Sequence, residues 1–379
     1  HRNTPRVFSL GDGNKVHVKV ENLSPRRLNL SILDELPVQF QIRDFEHKLS
    51  LEPGGVGKIT YELKPRERGE YLFGDTHIFV QTHIGLVERR ITKKQAEKVA
   101  VFPSVIQMKH YELTTFNQLA GQEGIRKIRR IGHSYEFEQI KNYVKGDDYR
   151  SINWRATGRR NQLMVNQYED ERAQQVYCVI DKSRNMHMPF HGMTLMDYAI
   201  NSTLALSNII LRKNDKAGLI TFSDKIGSTI KADRKAGQLN KLLKALYNEK
   251  ARSVEANFEL LYHVGRKLVQ GRSLFLVFTN FESGYALDRV LPVLRRMNRL
   301  HLLVIVFFEN TEVAQFAQKE AKTVEDIYTQ TIAQSFVAEK VTMAQKLNQY
   351  GIQTILTRPE SLSINAINKY LELKARGLI

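Results

Sequence analysis

Several features that would narrow the class of this chain are scarce or missing. There is 1 cysteine in 379 residues, so no internal disulfide can form. Cys178 lies inside an apolar run and reads as a small core hydrophobe, which fits a reducing compartment. No stretch is long and apolar enough to span a bilayer: the longest apolar run is Leu302 to Phe308, against the roughly 20 residues a spanning helix needs. No signal peptide is legible, and a chain that begins at His1 rather than Met is expected to be an excised fragment of a longer protein. Acid is also in short supply. Asp and Glu total 40 against 57 Lys and Arg, a net charge of +17, which predicts attraction to polyanions, acidic protein partners or anionic lipid heads.

Motif absences exclude more. There is no Gly-x-Ser-x-Gly elbow for a hydrolase nucleophile. Gly54-Gly-Val-Gly-Lys58 hints at a phosphate loop, but Glu52 stands at the first glycine position and Ile59 at the hydroxyl position, so it reads as a hairpin turn. His187 and His191 are four apart, yet Pro189 between them argues against a helix bearing a metal pair. The basic cluster Arg126 to Arg130 lacks interleaved aromatics or a nucleic-acid motif, so nucleic acid is not an expected partner.

What remains is an ordinary folded composition, 42% hydrophobic and 26% charged, long enough for two cores. Residues 1–105 read as short alternating strands: Val16–Val20, Leu28–Ile32, Val38–Ile42, Gly57–Leu63 and His77–Val80. Turn signals such as Gly11-Asp-Gly13 and Pro53-Gly-Gly55 separate them. The pattern predicts an all-β, Ig-like antiparallel sandwich. Residues 106–170 form a distinct segment, with Leu163 to Tyr168 read as an edge strand. From 171 to 379 strands and helices alternate, which predicts a doubly wound, mostly parallel Rossmann-like sheet. Its helices are read at Asp197–Arg212, Gln238–Tyr247, Phe258–Val269, Ala286–Met297, a long one over Val313–Tyr350, and Ile364–Ala375.

The α/β part is organised around Val176 to Ile180, an apolar run buried on both faces. It ends on Asp181, followed by Ser183 and Asn185 at alternate positions. A helix pattern then begins with Met196, Ala199, Ile200, Thr203 and Leu204 at spacings of three and four. Ligands of open α/β sheets bind at the carboxyl ends of strands where strand order reverses, and the three oxygen-bearing side chains belong at such an end.

Asp181-Lys-Ser-Arg-Asn185 resembles the Asp-x-Ser-x-Ser metal-ion-dependent adhesion motif of von Willebrand factor type A domains. Tyr143-Val-Lys-Gly-Asp-Asp-Tyr-Arg-Ser-Ile-Asn-Trp-Arg-Ala-Thr-Gly-Arg159, followed by Leu163 to Glu169, closely resembles the signature of the bacterial domain-of-unknown-function fifty-eight family. Leu33-Asp-Glu-Leu-Pro37 and Arg68-Gly-Glu-Tyr-Leu-Phe-Gly74 look like the domain that precedes it.

The resemblance implies a von Willebrand A-like domain behind a β-sandwich. It also implies a membrane-anchored, non-enzymatic adaptor that works with a MoxR-type AAA+ ATPase in protein assembly or maturation. Two upstream membrane helices would anchor it at the bacterial inner membrane. The positive charge points to the cytoplasmic face, with the periplasmic face as the alternative. The adhesion motif departs from the family pattern: Asn185 replaces a hydroxyl, Ala256 and Asn257 stand at the threonine position, and Asn280 replaces the strand-end Asp. A degenerate site is therefore expected, formed by Asp181, Ser183, Asn185 and Asn280, with no cofactor or a weakly bound Mg²⁺. A partner would dock on Asp181, Ser183, Asn185, Asn257, Asn280 and Glu282, with Thr279 or Glu282 compensating for a lost ligand.

Gly146, Asp147, Asp148, Arg150, Asn153, Trp154 and Arg159 are expected to form a structural latch. Its carboxylates would pair with Arg150, Arg155 and Arg159, and Trp154 would be its apolar anchor. The alternative is a metal-dependent hydrolase using Asp147, Asp148 and Asp181.

Overall fold

A computed structural model describes residues 1–42, 45–81, 87–104, 136–144, 147, 149–169, 173–318 and 323–379. The basic cluster at 126–130, Lys145, Gly146 and Asp148 lie outside them. The chain divides into two compact units, one of residues 1–116 with 175–379 and the other of residues 117–174. The β-rich and α/β regions thus share one unit.

The front of the chain is all β. Its strands are β1 (Arg2–Asn3), β2 (Val7–Ser9), β3 (Asn14–Glu21), β4 (Leu28–Asp34) and β5 (Glu46–Leu51), then β6 (Val56–Leu63), β7 (Gly69–Phe73), β8 (Thr76–Gln81), β9 (Glu88–Lys93) and β10 (Glu97–Phe102). They form three sheets, in the orders β1-β3-β6, β2-β10-β7 and β5-β4-β8-β9. Strict alternation explains the layering. In β3, Val16, Val18 and Val20 turn inward while Lys15, Lys19 and Glu21 face water, as a two-residue period demands. They meet Phe8, Leu30, Leu63 and Phe73 in one core.

Val38–Ile42, read above as a strand, is instead a 3-10 turn over Val38–Phe40 with Gln41 at φ 54°. Pro37 fixes the entry, and Val38 is 88% exposed. The alternation there had no sheet to face. The turn at Gly54, φ 69°, joins β5 to β6, but these strands pair with β4 and β3 rather than with each other.

The second unit contains β11 (Glu136–Asn142), helix α1 (Trp154–Arg160) and β12 (Met164–Glu169), with β11 and β12 paired antiparallel. Asn153 caps α1, its side chain accepting from Ala156 N. Asn161, at φ 54°, closes the other end. Within this unit Trp154 is 71% exposed. Asp147 pairs with Lys141 at 2.9 Å and accepts from Val144 N at 3.0 Å. The partner is therefore a lysine of the adjoining strand, not one of the arginines expected.

The α/β region runs β13 (Gln175–Asp181), β14 (Pro189–Phe190), β15 (Met193–Thr194), α2 (Leu195–Arg212), β16 (Lys216–Phe222), β17 (Ile226–Asp233), α3 (Gln238–Asn248) and α4 (Phe258–Leu268). It continues with β18 (Leu274–Phe278), α5 (Gly284–Leu300), β19 (Leu302–Phe308), α6 (Thr311–Ala317), α7 (Val324–Gln349), β20 (Gln353–Thr357) and α8 (Leu362–Ala375). The sheet order is β17-β16-β13-β18-β19-β20, parallel except for the edge strand β17.

Side chains of β13 alternate between two cores. Val176, Cys178 and Ile180 pack under α2, α3 and α8, while Tyr177 and Val179 face α4, α5 and α7. Helices therefore cover both faces, and the continuous apolar run of β13 follows from that. The long helix expected over Val313–Tyr350 is two helices. Thr323 starts the second one with a capping box that uses Asp326, which satisfies amides an uninterrupted helix would have bonded internally.

The β-rich and α/β regions are tied by specific contacts. Arg68 Nε donates to Asp197 Oδ1 at 2.8 Å with both side chains buried. Ser104 N donates to Asn201 Oδ1 at 2.9 Å, and Phe102 stacks on Tyr247 at 4.5 Å.

Candidate functional site

The chain leaves β13 for β16 on one side and later returns to β18 on the other. The carboxyl ends of β13 and β18 therefore border the place where strand order reverses, the usual ligand position in an open α/β sheet. Asp181 is the last residue of β13, and Thr279 and Asn280 follow β18 directly.

Asp181 is 1% exposed. Its Oδ1 accepts from Ser183 N at 2.8 Å, an Asx-type turn that bends the chain out of the strand. Its Oδ2 accepts from Thr279 Oγ1 at 2.7 Å. Among the described residues no cation pairs with it. Burial pushes its pKa above the ordinary carboxylate value, against the pull of the Thr279 and Ser183 hydrogen bonds.

Around this carboxylate the loops are stitched together. Asn185 Nδ2 donates to Asn280 O at 3.2 Å, and Asn280 Nδ2 returns a bond to Asn185 O at 3.4 Å. Asn280 Oδ1 accepts from Lys340 Nζ at 3.1 Å, and the same ammonium also donates to Phe281 O. Burial lowers the Lys340 pKa to about 8. Two oxygens are left over: Ser183 Oγ and Asn185 Oδ1 are buried without a hydrogen bond of acceptable geometry. Ser183 Oγ lies close enough to the Asp181 carboxylate to oppose its upward shift.

The expected site residues thus fall into two groups. Asp181, Ser183, Asn185 and Asn280 come together, joined by Thr279, which the sequence suggested as a compensating ligand. Asp181, Ser183 and Asn280 are buried, which corrects the expectation that they form a docking surface. A carboxylate bonded inward to Thr279 presents nothing to a partner. Asn257 is exposed but faces its own helix, its Oδ1 accepting from Leu260 N at 3.0 Å to cap α4. Ala256 is half-buried beside it.

Glu282 lies in an exposed charged rim. Arg184 reaches Glu255 at 3.6 Å and Glu282 at 3.8 Å, and Arg289 reaches Glu255 at 2.9 Å. Such exposed pairs contribute little to stability, so their arrangement is free to serve recognition.

Lys340 was not legible beforehand. It comes from α7, 60 positions beyond Asn280, and a lysine in a helix carries no local signal. Lys182 Nζ pairs with Glu249 Oε2 at 2.7 Å, and Glu249 Oε1 also accepts from Thr221 Oγ1 at 2.8 Å. This buried pair anchors the loop before α4 beside the strand ends.

In the second unit, the Lys141 and Val144 hydrogen bonds hold the Asp147 carboxyl below its ordinary range, opposite to what a general acid needs. Among the described residues no group of three or more His, Cys, Asp or Glu side chains is placed to hold a metal, and no helix is long and apolar enough to cross a membrane.

Comparisons with known proteins give a family but no activity. The uncharacterized protein YeaD of Bacillus subtilis (strain 168) is 24% identical over 164 residues, covering 43% of this chain and 39% of that protein. The chain thus spans about two fifths of that relative. An aerotolerance-related membrane protein from Bacteroides fragilis NCTC 9343 matches 52% of this chain and 97% of its own, at 13% identity and a TM-score of 0.34. The CARDB domain of the PF1109 protein from Pyrococcus furiosus matches 26% of this chain and 87% of its own, at 18% identity and a TM-score of 0.21. Scores this low assign neither fold nor function. The family model described as protein of unknown function DUF58 matches residues 139–330, about half of the chain, including β13 and its loop, and the chain belongs to that family.

Proposed function

We propose that this chain is a non-enzymatic protein-interaction adaptor, the soluble part of a membrane-anchored protein that works with a MoxR-type AAA+ ATPase. In this reading the α/β region is a von Willebrand A-type domain and the all-β region an Ig-like sandwich. The observation that carries it is the cluster at the strand-order reversal. Among the described residues a buried carboxylate there has no cation partner, and Ser183 Oγ and Asn185 Oδ1 lie buried beside it without a hydrogen bond of acceptable geometry.

A hard divalent ion takes oxygen ligands in octahedral array. Asp181, Ser183 and Asn185 would supply three of them, so an ion held there keeps several waters and binds weakly. The Lys340 ammonium on Asn280 works against a second positive charge. Docking would then fall to the exposed rim of Arg184, Glu255 and Glu282, with Asp181 beneath shaping the loop. No observation favours the hydrolase alternative, and an ion-paired Asp147 argues against it.

Two measurements test this. Calorimetric titration with MgCl₂ should give a dissociation constant on the order of 1 mM in wild type and no binding in Asp181→Ala. Sub-micromolar binding accompanied by hydrolytic turnover would overturn the adaptor reading. In a pull-down with a MoxR-type ATPase, the double variant Arg184→Glu, Glu282→Arg should lose most of the capture. Unchanged capture removes the rim from the interface, and no capture by wild type removes the ATPase as partner.

A further inference from the structure

A cavity of about 340 Å³ lies where the all-β and α/β regions meet. Its walls come from the β6–β7 connection, the β14–β15 turn, α2 and the start of α8. The ties through Arg68, Asn201 and Phe102 described above fix these pieces against one another.

The floor holds unused donors. Asn201 is 4% exposed and Ser363 is 6% exposed. Asn201 spends its carbonyl oxygen on Ser104 N, while among the described residues its Nδ2 and Ser363 Oγ make no hydrogen bond. Both residues line the cavity. Ser363 belongs to the first turn of α8, a 14-residue helix whose N-terminus has no side-chain cap. A 3-10 turn over Pro359–Ser361 leads into it, and the Leu362 amide donates to Pro359 O; the helix dipole still favours negative charge at this end.

The rim is cationic. Lys64 and Arg66 make no ion pair with any described residue. The Arg66 side chain lies against Gly192. A Cβ on Gly192, at φ 82°, would meet Arg66 Cδ at 2.8 Å and Nε at 2.9 Å, so the glycine is what lets the guanidinium side chain settle there. The single carboxylate among the lining residues, Glu360, is engaged with His191 at 3.3 Å. Tyr198 is pushed up to about 12 by burial and the nearby Glu360 and Asp197 charges, so its hydroxyl keeps its proton. Its hydrogen bond to Phe190 O is long, at 3.4 Å. The remaining walls, Pro65, Met193 and Pro359, are apolar.

We propose that this cavity binds a small phosphate monoester. Its oxyanion would be received by Arg66, Lys64, Asn201 Nδ2 and Ser363 Oγ at the start of α8, and its organic part by Met193 and the Tyr198 ring. A planar guanidinium, a point-charge ammonium and neutral donors converging on one place suit a tetrahedral anion. A cavity of this size with apolar walls has room for more than the phosphate alone.

The test is calorimetric titration of the whole chain, at constant ionic strength, with phenyl phosphate and with inorganic phosphate. Phenyl phosphate should bind saturably and about tenfold more tightly than inorganic phosphate, since the ring adds buried apolar area. Arg66→Ala should weaken it about tenfold or more. Arg266→Ala, on α4 across the sheet, should leave it unchanged. Circular dichroism confirms that each variant folds. No saturable binding of either compound overturns the assignment. Equal affinity for the two does so as well, because the walls then take no part. An equal loss in Arg266→Ala makes net charge responsible and overturns it too.

Discussion

Two aspartates end strands and are buried, one in each region, and their surroundings differ. In the all-β region Asp34, at the end of β4, is met by the Arg2 guanidinium at 2.8 Å, Thr76 Oγ1 at 2.9 Å and Tyr61 Oη at 2.5 Å. In the α/β region Asp181, at the end of β13, has Thr279 Oγ1 and one backbone amide. The first carboxylate has a cation and a full set of donors. The second has neutral donors only, and burial raises its pKa. Burial alone therefore does not mark a functional carboxylate. A compensated one ties β1 to β4 of a different sheet, while an uncompensated one at a strand-order reversal leaves electrostatic room for a ligand or a dependent loop.

The comparison can be broken most directly at Asp34. Asp34→Ala should destabilise the protein by about 3–5 kcal/mol, because it leaves Arg2 buried and unpaired. Urea denaturation measures this, and a loss below about 1 kcal/mol would show that Arg2 escapes to water and that the pair holds nothing.

Asp181→Asn should cost much less, and its effect should depend on pH. Between the ordinary carboxylate value and the raised one, the folded chain keeps a proton that the unfolded chain releases, so wild-type stability falls as pH rises through that window. The variant has no such titration there. Its stability relative to wild type should therefore grow from pH 4 upward, and a pH-independent difference would contradict the burial described.

Lys340 gives the opposite sign. With its pKa lowered from 10.5 to about 8, the unfolded chain holds the extra proton between those values, and wild-type stability rises with pH across them. Lys340→Met should flatten that part of the profile. A profile unchanged by the substitution would place the amine in water, away from Asn280.

The smallest effect is expected at Trp154. Its side chain is 71% exposed, so Trp154→Ala should change stability by no more than about 0.5 kcal/mol. A larger loss would show Trp154 to be the apolar anchor expected of the signature segment.

Much of the α/β region was legible because local pattern and tertiary role coincide. The unbroken apolar run of β13 requires two covered faces, and the three-four spacing after Thr194 requires a helix with one buried side. The Thr323 and Asp326 capping box was also in plain view, although a long helical pattern masked the break before it. Strand β17 was not read, since Ile226 to Asp233 carries glycine, serine and charge. It pairs antiparallel to β16 at the sheet edge, where only one side is covered. Val38–Ile42 misled for the converse reason, an alternation with no neighbouring strand to use it.

At the site, the sequence named Asp181, Ser183, Asn185, Thr279 and Asn280. It could not say that the aspartate points inward, since that depends on a hydroxyl 98 residues away. Nor could it supply Lys340 or the partners of Asp34, which are joined only by folding.

The sequence by itself determined the strand and helix periods, the acid-tipped central strand and the family signature, because each is written in neighbouring residues. Only the tertiary structure decided which carboxylate has a cation, which exposed charges form a rim, and that Arg66, Asn201 and Ser363 line one cavity. Charge compensation and shared cavities depend on distance in space, and residues far apart in the chain become neighbours only when the sheet and its covering helices close around them.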